Sequence, residues 1–270
     1  MSWLGKFFGG AFGFMLGGPL GAILGASVGH QFDVGRDALE HRQDGFMPGD
    51  QHRVQMAFFT ATFSVMGHIA KADGRVSKAE INLARRVMDE MGLTGEMRET
   101  AVKLFQQGKN PGFPLDEAIF QLRKECQRRT QLLRMFLEIQ LQAALADGAI
   151  DASEEKLLRH ICSQLGVSRF EYERIKLQIL AQQRFYAYGQ QQHEVRRQSG
   201  LRDAYQVLGL DETASDAEVK TAYRRLISQN HPDKLVAKGL PEEMMKIAKE
   251  KTQQIRKAYE LVRASRNKKL

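Results

Sequence analysis

Two stretches of this chain match each other at a fixed offset of 74 residues, and that repeat restricts the fold more than any other feature. Ala70-Lys-Ala-Asp-Gly-Arg-Val-Ser-Lys-Ala-Glu80 aligns with Ala144-Leu-Ala-Asp-Gly-Ala-Ile-Asp-Ala-Ser-Glu154, and Met91-Gly-Leu-Thr94 aligns with Leu165-Gly-Val-Ser168. Each copy reads as helix, Asp-Gly turn, helix and glycine stop. Ser77 with Glu80, and Asp151 with Glu154, have the spacing of a helix capping box. Apolar runs at residues 56–63 and 132–137 supply further helices, and no strand-like alternation persists anywhere. The expectation is an all-α protein whose residues 55–180 form a helical bundle.

The N-terminal part obeys different rules. No charged side chain lies between Lys6 and His30. Residues 7–28 would make roughly 33 Å of helix, enough to cross a hydrocarbon core of about 30 Å. Gly9, Gly13, Gly17, Gly21, Gly25 and Gly29 recur at every fourth position and so line one side of that helix. Such small-residue ladders let two helix backbones approach closely in lipid, and so many glycines would weaken a soluble core helix. Residues 7–30 therefore read as a transmembrane helix that forms a homodimer through Gly9, Gly13, Gly17, Gly21 and Gly25, with Pro19 kinking it. The rival reading is a cleaved signal peptide with Lys6 in its n-region and Ala26-Ser27 at its cleavage site. The length of the apolar run and the regular glycine spacing favour the membrane span.

At the other end, His231-Pro232-Asp233-Lys234 stands between two helical patterns, residues 215–230 and 241–264. Proline fixes its own φ and drives the preceding residue out of the α region, so the first helix stops there. His231 and Asp233 then project from a rigid corner, with Lys220, Arg224 and Arg225 on the polar side of the first helix. Val219, Tyr223 and Leu226 make one apolar stripe, and Ser215 with Glu218 has capping-box spacing. Met244, Ala248, Ile255, Tyr259 and Val262 keep the helical period in the second helix, with a weak point at Lys251 and Thr252. Residues 201–270 carry 15 Lys and Arg against 10 Asp and Glu, which accounts for most of the whole-chain net charge of +8. A basic face of this kind steers association with an acidic partner. It lacks the interleaved exposed aromatics and phosphate-binding glycine loops expected for nucleic acid.

Tyr205-Gln-Val-Leu-Gly-Leu210, Val219-Lys-Thr-Ala-Tyr-Arg-Arg-Leu226, His231-Pro-Asp-Lys234 and Ala258-Tyr-Glu-Leu261 stand in the order seen in J domains. Residues 201–270 thus resemble the DnaJ family. The resemblance implies binding to a DnaK-type chaperone and stimulation of its ATP hydrolysis. It assigns the contact to His231, Pro232, Asp233 and Lys234, supported by Lys220, Arg224 and Arg225. One departure is Thr252, where the family usually has Phe. The repeat resembles TerB-like helical domains. The three parts together look like a membrane-anchored DnaJ-like co-chaperone. That implies a single-pass protein of the cell inner membrane, because a trigger for an ATP-driven chaperone must face the compartment that holds ATP.

The expected organisation is a short periplasmic segment at residues 1–6, the span at 7–30, a linker at 31–54, the TerB-like domain at 55–180, a Gln-rich linker at 181–200 and the J domain at 201–270, with both folded domains cytoplasmic. Cys126 and Cys162, the chain's two cysteines, fit a reducing compartment. No Walker-type loop, paired-cysteine zinc spacing or Ser-His-Asp set is present, so the chain reads as an activator of a partner ATPase with no cofactor and no catalytic residues of its own. Asp73, Glu80, Asp147, Asp151 and Glu154 gather near equivalent turns, where a hard divalent cation could bridge them. Ordinary capping and turn chemistry accounts for the same residues, so the expectation is no metal. The alternative function is a membrane scaffold or cation-responsive sensor acting through the TerB-like domain.

Overall fold

The computed structural model describes residues 48–267, apart from 73, 75–77, 128, 146–147, 189–193 and 241–244. The predicted span, its glycine ladder and most of the segment that follows lie outside the described residues. So do Asp73, Ser77, Asp147 and Met244.

Every described element is an α-helix, and none of these helices is long and apolar enough to cross a membrane. The first group runs α1 (Pro48–Ile69), α2 (Lys78–Glu90), α3 (Gly95–Gly108), α4 (Leu115–Cys126), α5 (Thr130–Ala144), α6 (Ala152–Leu165) and α7 (Arg169–Tyr188). The second runs α8 (Glu194–Val207), α9 (Asp216–Asn230), α10 (Pro232–Ala237) and α11 (Met245–Asn267).

Helix α1 is the axis of the first group. It is apolar around its whole circumference, and every residue from Met56 to Gly67 is buried; such a helix must be surrounded by others. Two of its hydroxyls bond back within the helix, Thr62 Oγ1 donating to Phe58 O and Ser64 Oγ to Thr60 O, both at 2.7 Å, while Thr60 Oγ1 is buried without a hydrogen-bond partner. Helix α3 comes closest, where Gly67 meets the backbone of Phe105 and Gly108 meets that of Ser64. A Cβ on Gly67 would lie 2.0 Å from Phe105 O, and one on Gly108 would lie 1.8 Å from Ser64 O. Helix α5 packs on another face through an edge-on Phe58–Phe136 pair at 6.4 Å. Gln140 Nε2 donates to Thr62 O at 3.1 Å across the same contact.

The repeat holds in three dimensions. Helices α2 and α6 start at Lys78 and Ala152, and α3 and α7 at Gly95 and Arg169, each pair 74 residues apart. Gly92 (φ 64°) and Gly166 (φ 74°) terminate α2 and α6 in the left-handed region that glycine favours. The following N–H groups close the same bond in both copies, Leu93 N to Met88 O and Val167 N to Cys162 O, each 2.9 Å. Cys126 and Cys162 are buried and free. Burial pushes both thiols up to about 12, so they act as small packing groups.

A second core is built from α8, α9 and α11. Tyr205, Leu208, Val219, Leu226, Ile255 and Val262 are buried together. Tyr223 and Tyr259 stack at 4.0 Å with 13° between their planes. These are the stripes expected from the sequence, with one exception. Ala248 is buried in the core of the first group rather than against α9. Within the segment read as a Gln-rich linker, residues 181–188 continue α7 and 194–200 open α8. Ala181 enters the second core with Phe185 packed on it, and Arg184 pairs with Asp203 at 3.3 Å.

Candidate functional site: a proline-fixed corner between two helices

Ser215 and Glu218 start α9 with the capping box read from the sequence. Ser215 N donates to Glu218 Oε2 at 2.7 Å, and Glu218 N to Ser215 Oγ at 3.3 Å. The same backbone bond holds the Glu218 carboxyl below the ordinary Glu value. Helix α9 ends at Asn230, whose Nδ2 donates to Leu226 O at 2.8 Å. His231 takes φ −62° and ψ 124°, the extended conformation imposed by the proline that follows. Pro232 occupies the first position of α10, where its fixed φ suits a helix and its missing N–H costs nothing. Leu235 N then donates to His231 O at 3.0 Å. The chain passes from one helix to the next through a single extended residue, which makes the corner stiff.

The side chains at that corner face water unequally. Pro232 is buried, the His231 side chain is 44% exposed and that of Asp233 is 84% exposed. His231 Nδ1 stands 3.9 Å from Asp233 Oδ2, an ion pair only when the imidazole is protonated. Nδ1 is itself buried without a hydrogen-bond partner. Lys234 folds back so that Nζ donates to Ser228 Oγ at 2.7 Å. Lys220, Arg224 and Arg225 are all exposed on α9, and none of them has an ion-pair partner among the described residues. Lys220 and Arg224 are one turn apart and therefore share a face. The structure thus brings the seven expected J-domain residues into one region: four at the corner and three along the helix that leads to it.

This arrangement suits recognition. It offers an imidazole, a carboxylate and unpaired cations on a convex corner. The adjoining cleft, of about 130 Å³, is smaller than the roughly 300 Å³ at which ligand pockets begin. Among the candidate cation ligands, Asp151 and Glu154 spend their oxygens on capping α6. Asp151 Oδ1 accepts from Glu154 N at 3.0 Å, and Glu154 Oε2 accepts from Asp151 N at 3.0 Å.

Two features were not read from the sequence. Helix α10 and the loop after it turn away from the second core, burying Leu235 and Leu240 in the first. Lys251 also forms a buried ion pair with Glu138 of α5. The signal was present on both sides: Lys251 interrupts the apolar period of α11, and Glu138 interrupts that of α5. Thr252, where J domains usually carry Phe, has its hydroxyl 2.6 Å from Ala248 O and 3.2 Å from Asn230 O. A hydroxyl satisfied by backbone stands where an aromatic ring would fill space.

Three family models match successive parts of the chain. The family described as Tellurite resistance protein TerB matches residues 59–177, and the DnaJ domain matches residues 203–270. The family described as Co-chaperone DjlA transmembrane domain matches residues 1–39. No solved structure matches the chain. The Co-chaperone protein DjlA of Coxiella burnetii is 47% identical over 269 residues, covering 99% of both chains. That of Vibrio cholerae is 46% identical, covering 97% of this chain and 98% of its own, and that of Photobacterium profundum is 44% identical, covering 96% and 97%. With a J domain, a TerB domain and a matching transmembrane domain in the same order along nearly the full length of these relatives, the chain belongs to the DjlA family of co-chaperones.

Proposed function

We propose that this chain uses its His231-Pro232-Asp233 corner to stimulate ATP hydrolysis by a DnaK-type chaperone and to recruit it to clients near the membrane. The observation that carries this reading is the corner itself. A proline-fixed bend presents one imidazole and one carboxylate beside exposed cations. Lys220, Arg224 and Arg225 would draw in an acidic face of the ATPase and align it, and Lys234 would extend that strip to the bend. His231 and Asp233 would then make the contacts that couple docking to hydrolysis. Fixing both side chains before contact lowers the ordering cost of binding.

The anchor places this activity. A span at residues 7–30 with its N-terminus periplasmic leaves both folded domains in the cytoplasm, where ATP is. Close packing of Gly9, Gly13, Gly17, Gly21 and Gly25 against a second copy would present two J domains side by side and raise their local concentration. The test uses the full chain in lipid vesicles with the DnaK-type chaperone of the same cell. The wild type raises ATP turnover, and His231→Gln returns it to the basal rate. Equal stimulation by both would refute the assignment of the corner.

A further inference from the structure

The residues that follow the trigger corner pack on the other domain. Leu235 is 1% exposed and Leu240 is fully buried, and both join the core cluster of the TerB-like bundle that contains Val54 and Met135. Ala248, near the start of α11, does the same. Gly239 (φ 95°) lies directly on α1, where a Cβ would stand 2.9 Å from Val54 Cγ1 and 3.3 Å from its Cβ. Only glycine suits both that conformation and that clearance.

Polar contacts complete the seam. Gln51 Nε2 donates to Val236 O at 3.3 Å, and Lys238 Nζ to Gln131 Oε1 at 2.8 Å. Lys251 reaches Glu138, which Arg134 holds from the other side at 3.1 Å. Burial alone would push the Glu138 carboxyl up; the two cations outweigh it and keep it below the ordinary Glu value. A buried pair of this kind adds little net stability over an apolar pair but penalises any arrangement that strands one partner. It therefore specifies a single docked register.

The seam runs beside the trigger. Gln229 and Asn230, the last residues of α9 before His231, line the cleft of about 130 Å³ together with Gln131, Arg134 and Glu171 of the bundle. That space is wide enough for water but too narrow for the surface of another protein. One flank of the corner is thus closed by the bundle, while Asp233 and the α9 cations remain open.

We infer that the TerB-like bundle is an intramolecular docking site for the J domain, and that this clasp masks one flank of the trigger until the J domain swings off it. Opening exposes a few apolar side chains and returns both buried charges to water. The clasp is held by Leu235, Leu240 and Ala248 in the first core and, along α7, by Ala181 in the second, so the swing bends the C-terminal part of α7 as it frees the seam. The masking role rests on the co-chaperone reading above, whereas the docking does not.

The experiment takes the full chain in phosphatidylethanolamine–phosphatidylglycerol vesicles and measures two quantities. One is amide exchange across residues 235–240; the other is ATP turnover of the DnaK-type chaperone at limiting co-chaperone. Glu138→Leu leaves the bundle an apolar side chain but strands Lys251. Glu138→Leu combined with Lys251→Met restores a matched apolar pair, and Arg134 keeps Gln178 as a partner at 3.0 Å. Leu240→Ser loosens the seam independently, in a loop outside the J-domain core. The single variants should lose exchange protection and raise turnover severalfold above wild type, and the double variant should regain both wild-type values. Lost protection with unchanged or reduced turnover overturns the masking role, and absence of protection in the wild type overturns the clasp. If exchange responds as expected but no form stimulates the ATPase, the co-chaperone reading fails and the masking role fails with it.

Discussion

Gly67 and Gly108 show how single residues set the packing of the bundle. Each sits where a neighbouring backbone carbonyl occupies the space a Cβ would need. Alanine at either position must push α1 and α3 apart, and overpacking of this kind costs about 1–3 kcal/mol. Gly67→Ala should therefore lower the urea midpoint without changing the helix content seen by circular dichroism. An unchanged midpoint would show that the α1–α3 contact is looser than the geometry requires. Neither glycine stands out in the sequence, because the partner carbonyls come from a helix about 40 residues away. The corner residues are the opposite case. Pro232 acts on its own neighbours, so the bend at His231 could be read from four adjacent letters.

At the level of elements, local chemistry was legible and long-range chemistry was not. The 74-residue offset predicts helix starts that the structure reproduces at α2 and α6 and at α3 and α7, because caps and glycine stops act over a few residues. The contact between α6 and α7 was invisible, since it joins side chains far apart in sequence. There Glu155 accepts from Tyr172 Oη and Lys176 Nζ, both at 2.8 Å, and from Arg159 at 2.9 Å. Burial pushes the Glu155 carboxyl up, but the donors from Lys176, Tyr172 and Arg159 outweigh it and hold it below the ordinary value of 4.5. A carboxyl whose pKa is lower folded than unfolded stabilises the fold above its unfolded pKa, and that contribution disappears as pH falls through the folded one. Denaturant titrations from neutral pH downward should thus show stability falling below pH 4.5, and less steeply in Glu155→Gln. Tyr172→Phe should cost about 0.5–1.5 kcal/mol at neutral pH by removing one hydrogen bond. If Glu155→Gln keeps the wild-type pH dependence, the network does not hold α7 on α6.

At the scale of the whole molecule, composition and motif suggest a partition into anchor, bundle and J domain, and the family matches cover residues 1–39, 59–177 and 203–270. The two folded units are joined more closely than motif reading suggests. Helix α7 contributes Ala181 to the second core, and α10 and the loop after it contribute Leu235 and Leu240 to the first. Sequence periodicity shows that a side chain is buried but not which core receives it; Ala248 is the plainest case. The anchor makes its own prediction at this scale. For the proposed homodimer, cross-linking in detergent should trap dimers of the wild type and only monomers of Gly17→Leu with Gly21→Leu, because bulky side chains block close helix approach. Persistence of the dimer would assign the glycine ladder another purpose.

The most direct test of the account is ATP turnover by the DnaK-type chaperone of the same cell, measured with the full chain in vesicles and with its Asp233→Asn variant. The Asp233 side chain is 84% exposed, and the substitution removes its charge while leaving its shape and the fold in place. Stimulation by the wild type and none by Asp233→Asn is the predicted result. Equal turnover with the two forms would contradict the claim that this corner is the trigger.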